Sequence, residues 1–140
     1  MKLVVDVLLI AGEEVLLVKY EDPSKYDGEH GWFLPDDYLA HAEHPAAAAV
    51  RIIRDQAGIE PPPDPVLFDI ESFANGAWHL IFHFYGELPA RTDLRPGPNV
   101  AAAEWFVRDA PPPREDIAHH GWALETMAKL PRVRSAIRPA

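Results

Sequence analysis

The 140-residue chain contains no cysteine, which excludes disulfides, thiolate metal sites and cysteine nucleophiles. Positive charge is scarce. Thirteen Lys and Arg stand against 22 Asp and Glu, for a formal net charge of −9. Phosphate backbones would repel such a chain, so a general nucleic-acid binder is excluded. A small phosphate ligand would need a metal ion or a focused cationic patch. Long apolar runs are also missing. The N-terminal MKLVVDVLLIAGEEVLLVKY is interrupted by Asp6 and by Glu13 and Glu14. It is too short to span a membrane and does not read as a targeting signal, so a cytoplasmic protein without membrane contact is expected. What is present is an apolar content of 48%, enough for one globular domain over residues 1–140. The 15 prolines cluster in PPPDP (61–65) and APPP (110–113), which read as stiff loops within that domain.

Val and Leu dominate residues 3–10 and 14–20, which predicts a hairpin turning at Ala11-Gly12-Glu13. Residues 21–31 read as a loop, and Trp32–Pro35 as a short apolar strand ended by proline. Residues 36–45 lead into a helix with Pro45 at its first position, where a missing N–H costs nothing. An alanine run favours that helix, and Gly58 stops it. Its core side is Ala49, Ile53 and Ala57, with Val50 beside them. Strands over 65–73 and 77–88 join across Asn75-Gly76, a strong turn signal. In the second, Trp78, Leu80, Phe82 and Phe84 alternate with His79, Ile81, His83 and Tyr85. Residues 102–107 form a further strand and 114–130 a last helix with Gly121 as a weak spot, followed by a basic, frayed tail. Strands, helix, strands, helix is the order expected of a mixed sheet between helices.

One helix face raises the functional question. Ile52, Asp55 and Gln56 stand at i, i+3 and i+4 and share a surface. The span DYLAHAEHPAAAAVRIIRDQAGI (37–59) resembles the box of the Nudix hydrolases, G-x5-E-x7-R-E-U-x-E-E-x-G-U, with U a bulky aliphatic. Glu43, Arg51, Ile53, Gly58 and Ile59 match with every gap kept; Asp37, Ile52, Asp55 and Gln56 depart. WFLP before the box, the proline loop after it and EWF before the last helix agree as well.

The resemblance implies the α/β/α sandwich of that family, with a mixed sheet between helices. It also implies cleavage of a nucleoside diphosphate linked to another group, with Mg²⁺ or Mn²⁺ held by helix carboxylates. Carried over by residue, Glu43 and Arg51 pin loop to helix and, with Asp55, make up the catalytic set. Asp55, Gln56 and Asp36 are the remaining metal candidates, and Tyr38, His79 and His83 the substrate candidates. The resemblance also allows a homodimer, through an apolar sheet edge near the N-terminal strand.

The departures count against that chemistry. Ile52 cannot bind a cation, and Gln56 offers only a neutral oxygen. Their loss predicts weak or absent pyrophosphatase activity; the alternative is a module that binds a nucleotide or a protein without cleaving it. Plainer roles compete at each position. Ile52 packs in the core, and Asp55 is solvated. His41, Glu43 and His44 with Asp36 and Asp37 form either a rebuilt Zn, Mn or Fe site or a solvated loop, the second being favoured. His79 and His83 share one sheet face, lining a cleft or packing in the core. His119 and His120 are read as surface residues. Tyr38, Trp32, Phe73 and Trp78 stack on a base or pack, and Lys129, Arg132, Arg134 and Arg138 make a solvated cationic tail.

Overall fold

The computed structural model describes residues 1–137. The chain folds as β1 (Lys2–Ala11), β2 (Glu14–Tyr20), β3 (Asp36–Tyr38), α1 (Pro45–Ala57), β4 (Val66–Asn75), β5 (Ala77–Leu88), β6 (Val100–Val107), α2 (Ala118–Met127) and α3 (Leu130–Ile137). The sheet runs β4-β5-β1-β2-β6, with β3 added alongside β1. β1 and β5 are parallel and the other pairs antiparallel. The mixed sheet between helices is therefore the α/β/α sandwich expected.

Strand alternation decides which helix covers which face. Val5, Val7 and Leu9 of β1 join Leu16 and Phe84 beneath Ala48, Ala49, Ile52, Ile53 and Ala57 of α1. The other parity, Leu8 and Ile10, joins Leu17, Leu34 and Tyr85 beneath Ala123, Leu130 and Val133 of α2 and α3. β1 is thus buried on both sides, and its unbroken apolar run follows from that. A central β1 offers no free edge, so the apolar edge expected near the N-terminus is absent among the described residues; the sheet ends instead at β4 and β6.

The ends of α1 show why the helix lies where it does. Pro45 takes the first turn, and the His44 ring Nδ1 accepts the Ala46 N–H at 3.0 Å, an N-cap the sequence reading overlooked. Gly58 closes the helix at φ 67°, its N–H donating to the Arg54 carbonyl at 3.1 Å.

Three stretches differ from expectation. Residues 36–38 pair with β1 as a strand rather than a loop, whereas Trp32 and Phe33 make only isolated bridges to Ile117 and Val18. The helix expected over 114–130 is broken into a short 3-10 turn (Arg114–Asp116), α2 and α3. The break comes from His119, His120 and Gly121, at φ 53°, 57° and 91°, which form a left-handed turn inside α2. The basic tail is not frayed at its start. Residues 130–137 are helical, and Arg134 donates to the Tyr85 hydroxyl at 3.3 Å and to Glu87 at 3.1 Å. Arg138 lies outside the described residues.

Candidate functional site

Arg51 organises the entry to α1. Its Nε donates to Glu43 at 2.8 Å and a terminal nitrogen to the same carboxylate at 3.0 Å, a bidentate pair. It also donates to the Tyr38 carbonyl at 3.0 Å and to Asp37 at 3.2 Å. Four acceptors on Asp37, Tyr38 and Glu43 fix the end of β3 and the loop that follows it to the helix. Hydrogen bonding to Arg51 holds the Glu43 carboxyl below its usual range. The Ala40 N–H adds a 3.0 Å bond to that carboxylate. Lys25 completes the neutralisation of Asp37 at 2.7 Å.

The residue after Arg51, and Gln56 a turn beyond it, face inward. Ile52 is 0% exposed and packs among Val5, Val7 and Phe84. Gln56 is also buried, with both ends of its amide occupied. Its nitrogen donates to the Asp36 carbonyl at 2.7 Å, and its oxygen lies 2.9 Å from the Tyr20 hydroxyl. That hydroxyl also lies 3.1 Å from the Asp36 carbonyl and 3.3 Å from the Asp36 carboxylate, and it accepts the Asp36 N–H at 3.1 Å. An amide and a phenol thus tie β2, β3 and α1 together. Burial pushes the Tyr20 hydroxyl well above its ordinary value, so it stays protonated as a donor.

Asp55 is exposed, and its side chain has no hydrogen-bond or ion-pair partner among the described residues. Its backbone carbonyl faces Gly97 so closely that a Cβ there would sit 1.7 Å away. The three positions that share a helix surface in sequence therefore part: one enters the core, one a buried hydrogen-bond network and one solvent.

The loop residues do not assemble a replacement metal site. His44 caps α1, Glu43 and Asp37 are committed to Arg51, and His41 is exposed. Among the described residues no group of three or more His, Asp or Glu is placed to hold an ion. The donor set does not fit the divalent metal that the box implies.

Beside this network, on the α2 side of the sheet, lies a cleft that opens to solvent. Tyr38 and His79 line it, as do Trp32 and Phe73, so four of the expected contacts fall there. Trp78 does not; it stands on the other strand face, 50% exposed. His83 lies behind the cleft, fully buried. Its Nδ1 is 2.6 Å from Asp6, and its Nε2 is 2.8 Å from Glu71 without the alignment of a good hydrogen bond. Burial opposes charge on His83, but the Asp6 bond and the two carboxylates outweigh it and move its pKa up. His119, expected at the surface, lines the cleft because the left-handed turn aims it inward; His120 is exposed.

The sequence reading also missed Asp6, Tyr26 and Trp122, all in the lining. Asp6 gave one signal, an acid inside an apolar strand. Asp36, beside Asp6 through strand pairing, carries a carboxyl pushed well above its ordinary value by burial and by the Asp6 charge.

Among solved structures, a MutT protein from Methanosarcina mazei matches with a TM-score of 0.75 at 15% identity, over 96% of this chain and 95% of that one. A Caenorhabditis elegans Ap4A hydrolase in a binary complex gives 0.73 at 15% identity, over 97% and 99%. The Nudix domain of Shewanella oneidensis NrtR, complexed with ADP ribose, gives 0.71 at 17% identity, over 93% and 87%. At such identities the likeness is one of fold. No curated relative matches. No helix among the described residues is long and apolar enough to cross a membrane. The NUDIX domain family model matches residues 1–127, and the chain therefore belongs to the Nudix family.

Proposed function

We propose that this Nudix-family protein binds a nucleotide-like ligand in the cleft and hydrolyses its diphosphate weakly or not at all. One observation carries this reading. The two inward box positions are an aliphatic at 0% exposure and an amide whose two ends are bonded to Tyr20 and Asp36. A Mg²⁺ ion needs hard anionic oxygens to neutralise the diphosphate and to acidify the attacking water. Glu43 and Arg51 keep a structural role, bracing the end of β3 that carries Tyr38. The nucleotide class is supported by the like-folded solved structures, one an Ap4A hydrolase and one a Nudix domain complexed with ADP ribose.

The second reading is a divergent hydrolase that takes Mg²⁺ or Mn²⁺ weakly at Asp36; the other metal candidates lend it no ligand, since Asp55 faces solvent and the Gln56 amide is bonded at both ends. Its support is that the Asp36 carboxylate lines the cleft without a cationic partner among the described residues. A cytoplasmic location and a homodimer belong to the same proposal. For the dimer, edge strand β4 carries exposed Leu67 and Ile70.

The deciding experiment is a thermal-shift scan of wild type with Mg²⁺, Mn²⁺ and diphosphate nucleotides such as ADP-ribose, run beside a monophosphate-release assay. A nucleotide-dependent shift that needs no metal, with no product released, is expected. Release at an ordinary enzyme rate in millimolar Mg²⁺ would overturn it.

A further inference from the structure

The wall of the cleft is an unbroken succession of rings. His79 stacks on Phe73 with centroids 4.6 Å apart, and Phe73 meets Trp122 edge-on at 5.8 Å. Trp122 meets His119 at 5.3 Å, His119 meets Phe33 at 5.8 Å, and Phe33 meets Tyr26 at 6.0 Å. All six line the cleft. Four carboxylates line it with them, Asp6, Asp27, Asp36 and Asp37, and among the described residues no Lys or Arg does.

Those carboxylates are not equivalent. Asp6 holds His83 at 2.6 Å, Asp27 lies 3.5 Å from Lys2, and Asp37 takes Lys25 and Arg51 at 2.7 and 3.2 Å. Asp36 has no cationic partner among the described residues, and its carboxylate receives only the Tyr20 hydroxyl, at 3.3 Å. A phosphate pushed into this lining would meet carboxylates and aromatic rings, among them Tyr26, one face of which is already stacked on Tyr20 at 3.7 Å. A cation would meet both as attractions, and rings of this kind favour an alkylated ammonium, which is weakly hydrated. A bare divalent ion is less well served, since among the described residues no three ligating groups converge.

We propose that the inner end of the cleft binds a small organic cation, an ammonium group with apolar substituents, between Asp36 and the ring wall. It rests on the reading that the cleft holds its ligand without metal, and it specifies which end of that ligand points inward: the cationic end, with any phosphate outside. Binding of a cation beside Asp36 favours its ionised form, so uptake releases a proton when that carboxyl is protonated beforehand.

The test compares choline with 3,3-dimethyl-1-butanol, which has the same shape with carbon in place of the charged nitrogen. Both are titrated into the full chain while the indole N–H resonances are followed. Choline is expected to shift the Trp122 signal and to bind at least tenfold more tightly than the alcohol. Asp36→Asn, which keeps an oxygen for Tyr20, should abolish most of that difference while leaving the alcohol unchanged. Equal affinities, or saturation by neither probe, would overturn the proposal, as would a choline preference that survives both Asp36→Asn and Asp6→Asn. Turnover plays no part in this measurement. Hydrolysis by wild type would therefore defeat the reading of the box and leave the cation preference standing, and equal affinities would do the reverse.

Discussion

Replacing Ile52 by glutamate restores the first acid of the box, and the structure sets the cost. Ile52 is 0% exposed against Val5, Val7 and Phe84. Removing a fully buried aliphatic forfeits about 1.5–3 kcal/mol. A carboxylate in the same space either stays ionised, at several kcal/mol for an unpaired buried charge, or takes up a proton. The total is about 4–8 kcal/mol, a large part of the roughly 5–15 kcal/mol that holds a domain folded. Gln56→Glu adds to it. The group that donates to the Asp36 carbonyl at 2.7 Å becomes an acceptor, leaving two oxygens face to face. With a urea slope of about 2 kcal/mol per molar, Ile52→Glu in chelator should lower the unfolding midpoint by about 2 M or more. The double variant should recover about 2.7 kcal/mol when Mg²⁺ or Mn²⁺ reaches about a hundred times its dissociation constant. Urea titrations of wild type, both single variants and the double variant, each with chelator and with metal, give the answer. A single Ile52→Glu variant as stable as wild type in chelator would refute the packing argument. Equal stabilisation of wild type and double variant by metal would refute the claim that the native positions cannot coordinate it.

Other outcomes follow from the same contacts. Arg51→Ala should cost about 1–3 kcal/mol at neutral pH by calorimetry, since it removes a charge-assisted bidentate pair. Its loss should also flatten the acid limb. Glu43 titrates below its ordinary 4.5, so its contribution is present above that pH and is lost as pH falls through the folded value. Asp36 shifts the other way. Its raised pKa contributes stability at low pH that is lost as pH rises through the folded value, so Asp36→Asn should melt higher than wild type near pH 8, with the gap closing toward pH 4. Gly97→Ala should destabilise by about 2 kcal/mol or more in urea, because its Cβ would fall 1.7 Å from the Asp55 carbonyl and push the 92–99 loop off the end of α1.

The parts of the fold read from sequence are those with a local signature: the β1–β2 hairpin, the Asn75-Gly76 turn, and a helix begun by Pro45 and ended by Gly58. Strand alternation put His79 and His83 on one face but could not tell depth; one lines the cleft and the other lies under it. The Tyr20–Gln56–Asp36 network was not legible, since its members are 16 to 36 residues apart and nothing in a phenol or an amide announces a partner at that range. Ile52 was legible in kind, because an aliphatic cannot hold a cation, though its full burial needed the sheet beneath it. The ring wall was hidden by the break in α2. A helical reading of 114–130 sends His119 to the surface, and only a left-handed turn brings it round to Trp122.

That turn has a consequence for motion. His119 and His120 hold a conformation that costs non-glycine residues roughly 1–2 kcal/mol each, offset in part by the His119 N–H donating to Glu29 at 3.1 Å. The segment is a loaded spring mounted in one side of the binding chamber. Amide protons from Ala118 to Trp122 should therefore exchange with solvent sooner than those of α1, and a guest seated against the rings should slow them first.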